Sequence, residues 1–364
     1  MTHTRASSNR LQYLDWVRGL AATYMLVGHV FDSFLRSDLR PGEPYTMSQF
    51  VGGIPPALFL FLTGVTLAFL MDSTERRNLD ASERILTTLA RSRYLFLLAF
   101  AFRFQLFLFG LPAPWQVLFR VDVLNCMGFS IGVMSLAALV RTRTRVWLCP
   151  ALGVAISFLS PLVSLLPWSK VPWVLSNYVA PGYGSFSFFP WGAFLVFGVG
   201  MGSLIRVAKE EGAQRLMLWT AGAGGLLVLA GQFFANRQFS LYSKLDFWLD
   251  SPAQIFVKLG VVCLVLPLGF VWTRYGARDG WSPVRQFGTT SLLVYWVHIE
   301  LVYGRGLWFL KNSLTVSQTM LAALGMILLM LAVSTAKTYW HRIRAVLDEL
   351  GWVLTPKPDR IPAD

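Results

Sequence analysis

LQYLDWVRGLAATYMLVGHVFDSF, residues 11–34, has the length of a membrane-crossing helix yet carries Asp15, Arg18 and His29. A helix turns about 100° per residue, so the steps from Arg18 to His29 return to within roughly 20° of the starting direction. Asp15 lies about 60° from Arg18 on the same side, and the three side chains share one narrow face. Along the axis Arg18 and His29 stand about 16 Å apart. A charged residue at the bilayer centre costs about 2.5–3.5 kcal/mol on insertion scales. This face should therefore look into protein or a wet cavity, with snorkelling of Asp15 and Arg18 at a helix end as the plainer reading.

The rest of the chain agrees with a membrane helix. Its 364 residues are 55% hydrophobic and only 14% charged, which excludes an ordinary soluble enzyme. A net charge of +13 would suggest nucleic acid in a soluble protein, but here basic cytoplasmic loops account for it. No nucleic-acid partner is expected. Cys126, Cys149 and Cys263 fall in or beside apolar segments, an odd set without disulfide or metal-cluster spacing. Asp15 and Arg18 interrupt the first apolar run, so a helix that stays in place is expected and not a cleaved signal peptide.

Hydropathy divides the chain into ten expected spans: 11–36, 50–71, 93–110, 122–140, 146–166, 188–206, 216–235, 254–273, 284–304 and 318–340. The fold class is all-α, a polytopic helix bundle forming one domain over 1–354, with a short tail over 355–364. Loops and helix ends on one side, Arg93 included, carry 21 of the 32 Lys and Arg; the other side carries 8. That asymmetry puts both termini in the cytoplasm, as an even span count requires. His29, His298, Glu300, Asp122 and Asn125 then fall in the outer half, while Arg103 lies mid-membrane and Lys258 comes in from outside. Intramembrane ionisable residues are functional candidates by default.

His29 is the candidate general base, taking a proton from an amine or hydroxyl as it attacks a carbonyl. Asp122, Glu300 or Asp32 could partner it, and packing or proton relay is the bland alternative. Arg103 is expected to hold a carboxylate such as Asp122. His298 could meet the acceptor or His29, and Asn125 could stabilise an oxyanion. Trp191 and Tyr183 could stack on a sugar, although interfacial aromatics are common. Gly198, Gly200 and Gly202 should allow close helix contact. Arg76, Arg77, Arg84, Arg91 and Arg93 cluster on the cytoplasmic side, where guanidinium suits phosphate; setting topology is their other reading.

RLQYLDWVRGLAATYMLVGH, with its Asp, Arg-Gly pair and following His, resembles the first helix of the transmembrane acyltransferases. The heparan-α-glucosaminide N-acetyltransferase family and acyltransferase family 3 are the two nearest patterns. PALFLFLTGVTLAF, FFPWGAFLVFGVGMG and FGTTSLLVYWVH resemble later helices of the first family in order, and RVDVLNCMG does so more loosely. Some members of that family place Asn at the His29 position and a catalytic His beyond the first helix. Residues 30–57 here contain no His, so the family 3 arrangement fits better and the choice between amine and hydroxyl stays open.

The resemblance implies transfer of an acetyl or similar acyl group from cytoplasmic acetyl-CoA or another acyl-CoA, with no metal, to a saccharide or envelope acceptor on the far face. His29 takes the catalytic position; Asp15, Arg18, Arg91 and Arg93 serve the donor. The expected location is a bacterial inner membrane, and a homo-oligomer is compatible with the reading. A permease for an anionic small molecule, guided by Arg18, Arg103 and Lys258, is the alternative, although no inverted repeat supports it.

Overall fold

The computed structural model describes residues 11–237, 241–276, 280–340 and 344. The described residues form helices without a named strand: α1 (Gln12–Phe34), α2 (Glu43–Gly52), α3 (Pro55–Arg76), α4 (Ala81–Phe109), α5 (Val123–Met134), α6 (Thr142–Ser164), α7 (Trp173–Val179), α8 (Phe188–Ala235), α9 (Pro252–Val271), α10 (Pro283–Thr289), α11 (Ser291–Tyr303) and α12 (Val316–Thr338). Their starts obey local chemistry. Asp80, Asp122 and Thr315 each close a capping box, and α3, α9 and α10 begin on Pro, which has no N–H to leave unsatisfied.

Six helical stretches among the described residues are long and apolar enough to cross a membrane. The ten-span expectation differs in identifiable places. The helices of the two expected spans, 188–206 and 216–235, are joined across a kink at Lys209 (φ 54°) and not by a loop. Apolar α5 and α11 have only 12 and 13 residues. α1, with 23 residues, is long enough but polar along one face.

Two hydrophobic cores meet on α1. Leu14, Val17 and Ala21 belong to a large core with α3, α5, α8 and α9. Ala22, Leu26, Val30 and Phe34 belong to a smaller one with α11 and α12. Since both cores draw on it, α1 is the central helix of the described residues. α4, α6 and α12 stand at the periphery, with only 28% of their most apolar windows buried against 67% for α3 and α8. Their exposed leucines and aromatics suit contact with lipid chains.

Backbone contact fixes α1 against α10. A Cβ on Gly19 would stand 1.7 Å from the Val284 carbonyl oxygen, and one on Gly288 would stand 1.7 Å from that of Asp15. α3 and α8 make the same kind of pair through Gly64 and Gly198, which bears out the expected close contact along α8. The far end of α1 is tied down as well: Leu314 N–H donates to Phe34 O at 3.0 Å, and Asn312 N–H donates to Ser33 O at 3.0 Å.

Candidate active site

α1 lines a cavity at each end. At its first turns, a cavity of about 990 Å³ is walled by α1, α3, α8 and α9. Asp15 and Arg18 face it, 3.4 Å apart. So do Arg76 and Arg206, which share Asp72 at 2.9 and 2.7 Å, together with Lys209, Glu210 and Arg274. Among the described lining residues five cations thus face three carboxylates, a balance that suits an anion. Arg91 and Arg93 are exposed on α4 and do not line this cavity. Both sit on α4, which contributes no residue to the wall of this cavity.

At the last turns of α1, a cavity of about 770 Å³ holds His29, Asp32, Arg103, Asp122, Trp191 and Glu300 in its wall. His29 Nδ1 lies 2.9 Å from His298 Nε2, and His298 Nδ1 lies 2.7 Å from the carbonyl oxygen of Val294, one turn earlier on α11. A carbonyl only accepts, so His298 Nδ1 carries the proton. With both rings neutral, His298 Nε2 must accept and His29 Nδ1 must donate. The remaining nitrogen of His29, Nε2, therefore keeps its lone pair, on a residue that lines the cavity. The carbonyl of one helix sets the tautomer of a ring on another.

The neighbours hold that ring in place. Tyr303 packs edge-on against it with centroids 5.4 Å apart, and its hydroxyl donates to Asp32 at 2.8 Å. Tyr45 donates to the other Asp32 oxygen at 3.2 Å. Ser33 donates to Val302 O at 2.8 Å, joining α1 to α11 beside the pair. The expected carboxylate partner of His29 is thus replaced at Nδ1 by His298, while Asp32 accepts from two phenols. Those contacts span 13 and 271 residues of sequence, beyond the reach of local pattern.

The other sequence candidates divide. Arg103 pairs with Asp122 at 3.2 Å, as anticipated. Glu300 presents a buried oxygen with no hydrogen-bond partner among the described residues. Tyr183 and Trp191 reach the wall, and the Tyr183 hydroxyl donates to Asp246 at 2.5 Å, which keeps that phenol protonated to higher pH than usual. Asn125 does not line the cavity. Its Oδ1 accepts from Asp122 N–H and its Nδ2 donates to Tyr178, so it is spent on a helix cap and is not positioned for an oxyanion. The sequence D-V-L-N, with its polar residues three apart, is itself a capping signal.

The two linings share no residue. The first ends at Arg18 on α1 and Thr66 on α3; the second begins at Met25 and Phe59. Seven residues of helix, about 10 Å, separate them on either wall.

A cation-rich cavity and a neutral imidazole, set at opposite ends of one buried helix, suit group transfer from an anionic carrier. No curated protein matches the sequence. A family model described as an acyltransferase domain, that of acyltransferase family 3, matches residues 11–339. With helices able to cross a membrane and a match over nearly its whole length, the chain is a membrane acyltransferase and belongs to acyltransferase family 3.

Proposed function

We propose that the protein takes an acyl group, acetyl in the first instance, from cytoplasmic acyl-CoA and delivers it to a hydroxyl or amine of a saccharide or other envelope molecule on the far side of the membrane. The observation that carries this reading is the His29 lone pair on the wall of one cavity, with a surplus of cations on the wall of the other. Coenzyme A is a multiply charged anion with a long thiol arm. Arg18, Arg76, Arg206, Lys209 and Arg274 would hold its phosphates, Asp15 would orient Arg18, and the arm would run along α1 across the intervening 10 Å or so. Arg91 and Arg93 fall outside this proposed donor site.

At His29 the chemistry balances simply. Nε2 takes the acceptor proton as the acceptor oxygen or nitrogen attacks the thioester carbonyl, and the C–S bond breaks as the new bond is completed. The imidazolium then returns the proton to the leaving thiolate. His298 is a positioning residue, holding the base in the right tautomer. Arg103 with Asp122, Glu300, Trp191 and Tyr183 would shape the acceptor side. The same lone pair could act as nucleophile and carry the acyl group for a time, and acylated protein trapped with donor alone would mark that route.

The topology we infer has ten crossings within one domain: the six long stretches, a second pass of α8 after Lys209, and α1, α5 and α11. Both termini then lie on the cytoplasmic side of a bacterial inner membrane, with the basic loops. The expected tail over 355–364 lies outside the described residues. Purified protein supplied with acetyl-CoA and envelope extract should consume thioester and add acetyl mass to a glycan fraction. Consumption equal to that of a protein-free control would remove the reading.

A further inference from the structure

A third cavity, of about 460 Å³, lies between α2, the last turns of α8, the segment before α9, and α9 itself. Among the described residues its wall holds a single charged side chain, Lys258. The other lining residues are neutral and include the amides of Gln49, Gln232, Asn236 and Gln254, of which Gln49 already donates to Gly28 O, and Trp248. No carboxylate or carbonyl among the described residues takes a hydrogen bond from Lys258. Its recorded partner is the face of Trp191, with Nζ 4.7 Å from the ring centroid. The stem passes Gly53, where an added Cβ would come 3.9 Å from Cε. An ammonium removed from water is costly unless an opposite charge or hydrogen-bond acceptors answer it.

We infer that this cavity binds one anionic group, a carboxylate or phosphate diester, through Lys258, with the amides hydrogen bonding to the uncharged polar body that carries it. One cation without a counter-charge selects a single negative charge, and neutral amides accept and donate to hydroxyls without preference for charge. The cavity adjoins the one that holds His29: Trp248 lines both, and Trp191 touches Lys258 from the His29 side. An acceptor molecule is therefore the natural bearer of the anion, an assignment that rests on the proposed acyl transfer. The binding site itself does not.

The test uses the full chain in detergent and reads thermal stability and tryptophan fluorescence. Probes are glucuronate against glucose, and dioctanoyl phosphatidylglycerol against dioctanoylglycerol. At least one anion should stabilise the protein and perturb its fluorescence saturably, while its neutral partner does not. Lys258→Met should weaken that anion about tenfold or more, Lys258→Arg should retain the preference, and His29→Ala should leave it unchanged. A response to glucuronate supports a soluble acidic acceptor. A response to phosphatidylglycerol alone supports a lipid headgroup and removes the link to the acceptor while the site stands. If neither anion exceeds its neutral partner, or if Lys258→Met keeps the preference, the inference is overturned.

Discussion

At its first turns α1 faces ion pairs: Asp15 with Arg18, and Asp72 shared by Arg76 and Arg206. At its last turns the bonds around the key residue are of another kind. A backbone carbonyl holds His298, His298 holds His29, and two phenols hold Asp32. The cationic end has strength and little directional demand, as suits gripping phosphate. The imidazole end has one proton arrangement for its two rings when both are neutral, as suits moving a proton. One helix thus presents a cationic wall and an imidazole about 16 Å apart, and the same face carries both.

That contrast can be broken most severely at the base. His29→Ala should keep the fold, because the ring lines a cavity and the α1 contacts with α10 are made by Gly19 and Gly288. Turnover should fall about 100- to 10,000-fold, the range for loss of a general base. Normal elution on size exclusion with near-normal acetyl transfer would remove His29 from the chemistry.

A smaller effect is expected at His298, which is fully buried. His298→Leu removes the acceptor for His29 Nδ1, so kcat should drop by about ten- to a hundredfold with little change in donor KM, in line with second partners of functional histidines. His298→Gln offers a side-chain oxygen in its place and should recover part of the loss. Equal rates for the two variants would mean that the ring merely fills space.

At the other end the signature should invert. Arg274→Gln or Arg206→Gln should raise the KM for acetyl-CoA by about tenfold, the equivalent of one charge-assisted hydrogen bond, and leave kcat nearly intact. Because Arg206 also serves Asp72 at 2.7 Å, Arg274 gives the cleaner reading. The smallest effect is expected at Arg91 and Arg93, both exposed. Their replacement by Gln should leave both constants within about twofold of wild type, and a large rise in donor KM would move the donor site towards α4.

The sequence made α1 readable because a charged face on an otherwise apolar helix has to be turned away from lipid. The pairing of Arg103 with Asp122 was legible for the same reason: two opposite charges at membrane depth need one another. The choice among the five clustered arginines was not legible: Arg76 ends α3 and lines the cavity, while Arg84, Arg91 and Arg93 sit on α4, which does not, and only tertiary packing separates the two helices. Asn125 misled because a polar residue near a helix start reads equally as cap or catalyst, and here the cap won. The run through residues 188–235 misled in another way. Its charged middle looks like a loop, whereas the two helices it separates meet at a kink at Lys209. Tyr303 beside His29 could not have been found from local pattern, being 274 positions away.

The central claim is that donor and acceptor meet across α1 at His29, having come from opposite faces. Sealed proteoliposomes of known orientation, given acetyl-labelled acetyl-CoA on the face bearing Arg18 and envelope glycan on the other, test it most directly. Label should appear on the glycan with wild-type protein, and not with His29→Ala or when donor is supplied on the His29 face. Label transferred only when donor and acceptor share one face would contradict it.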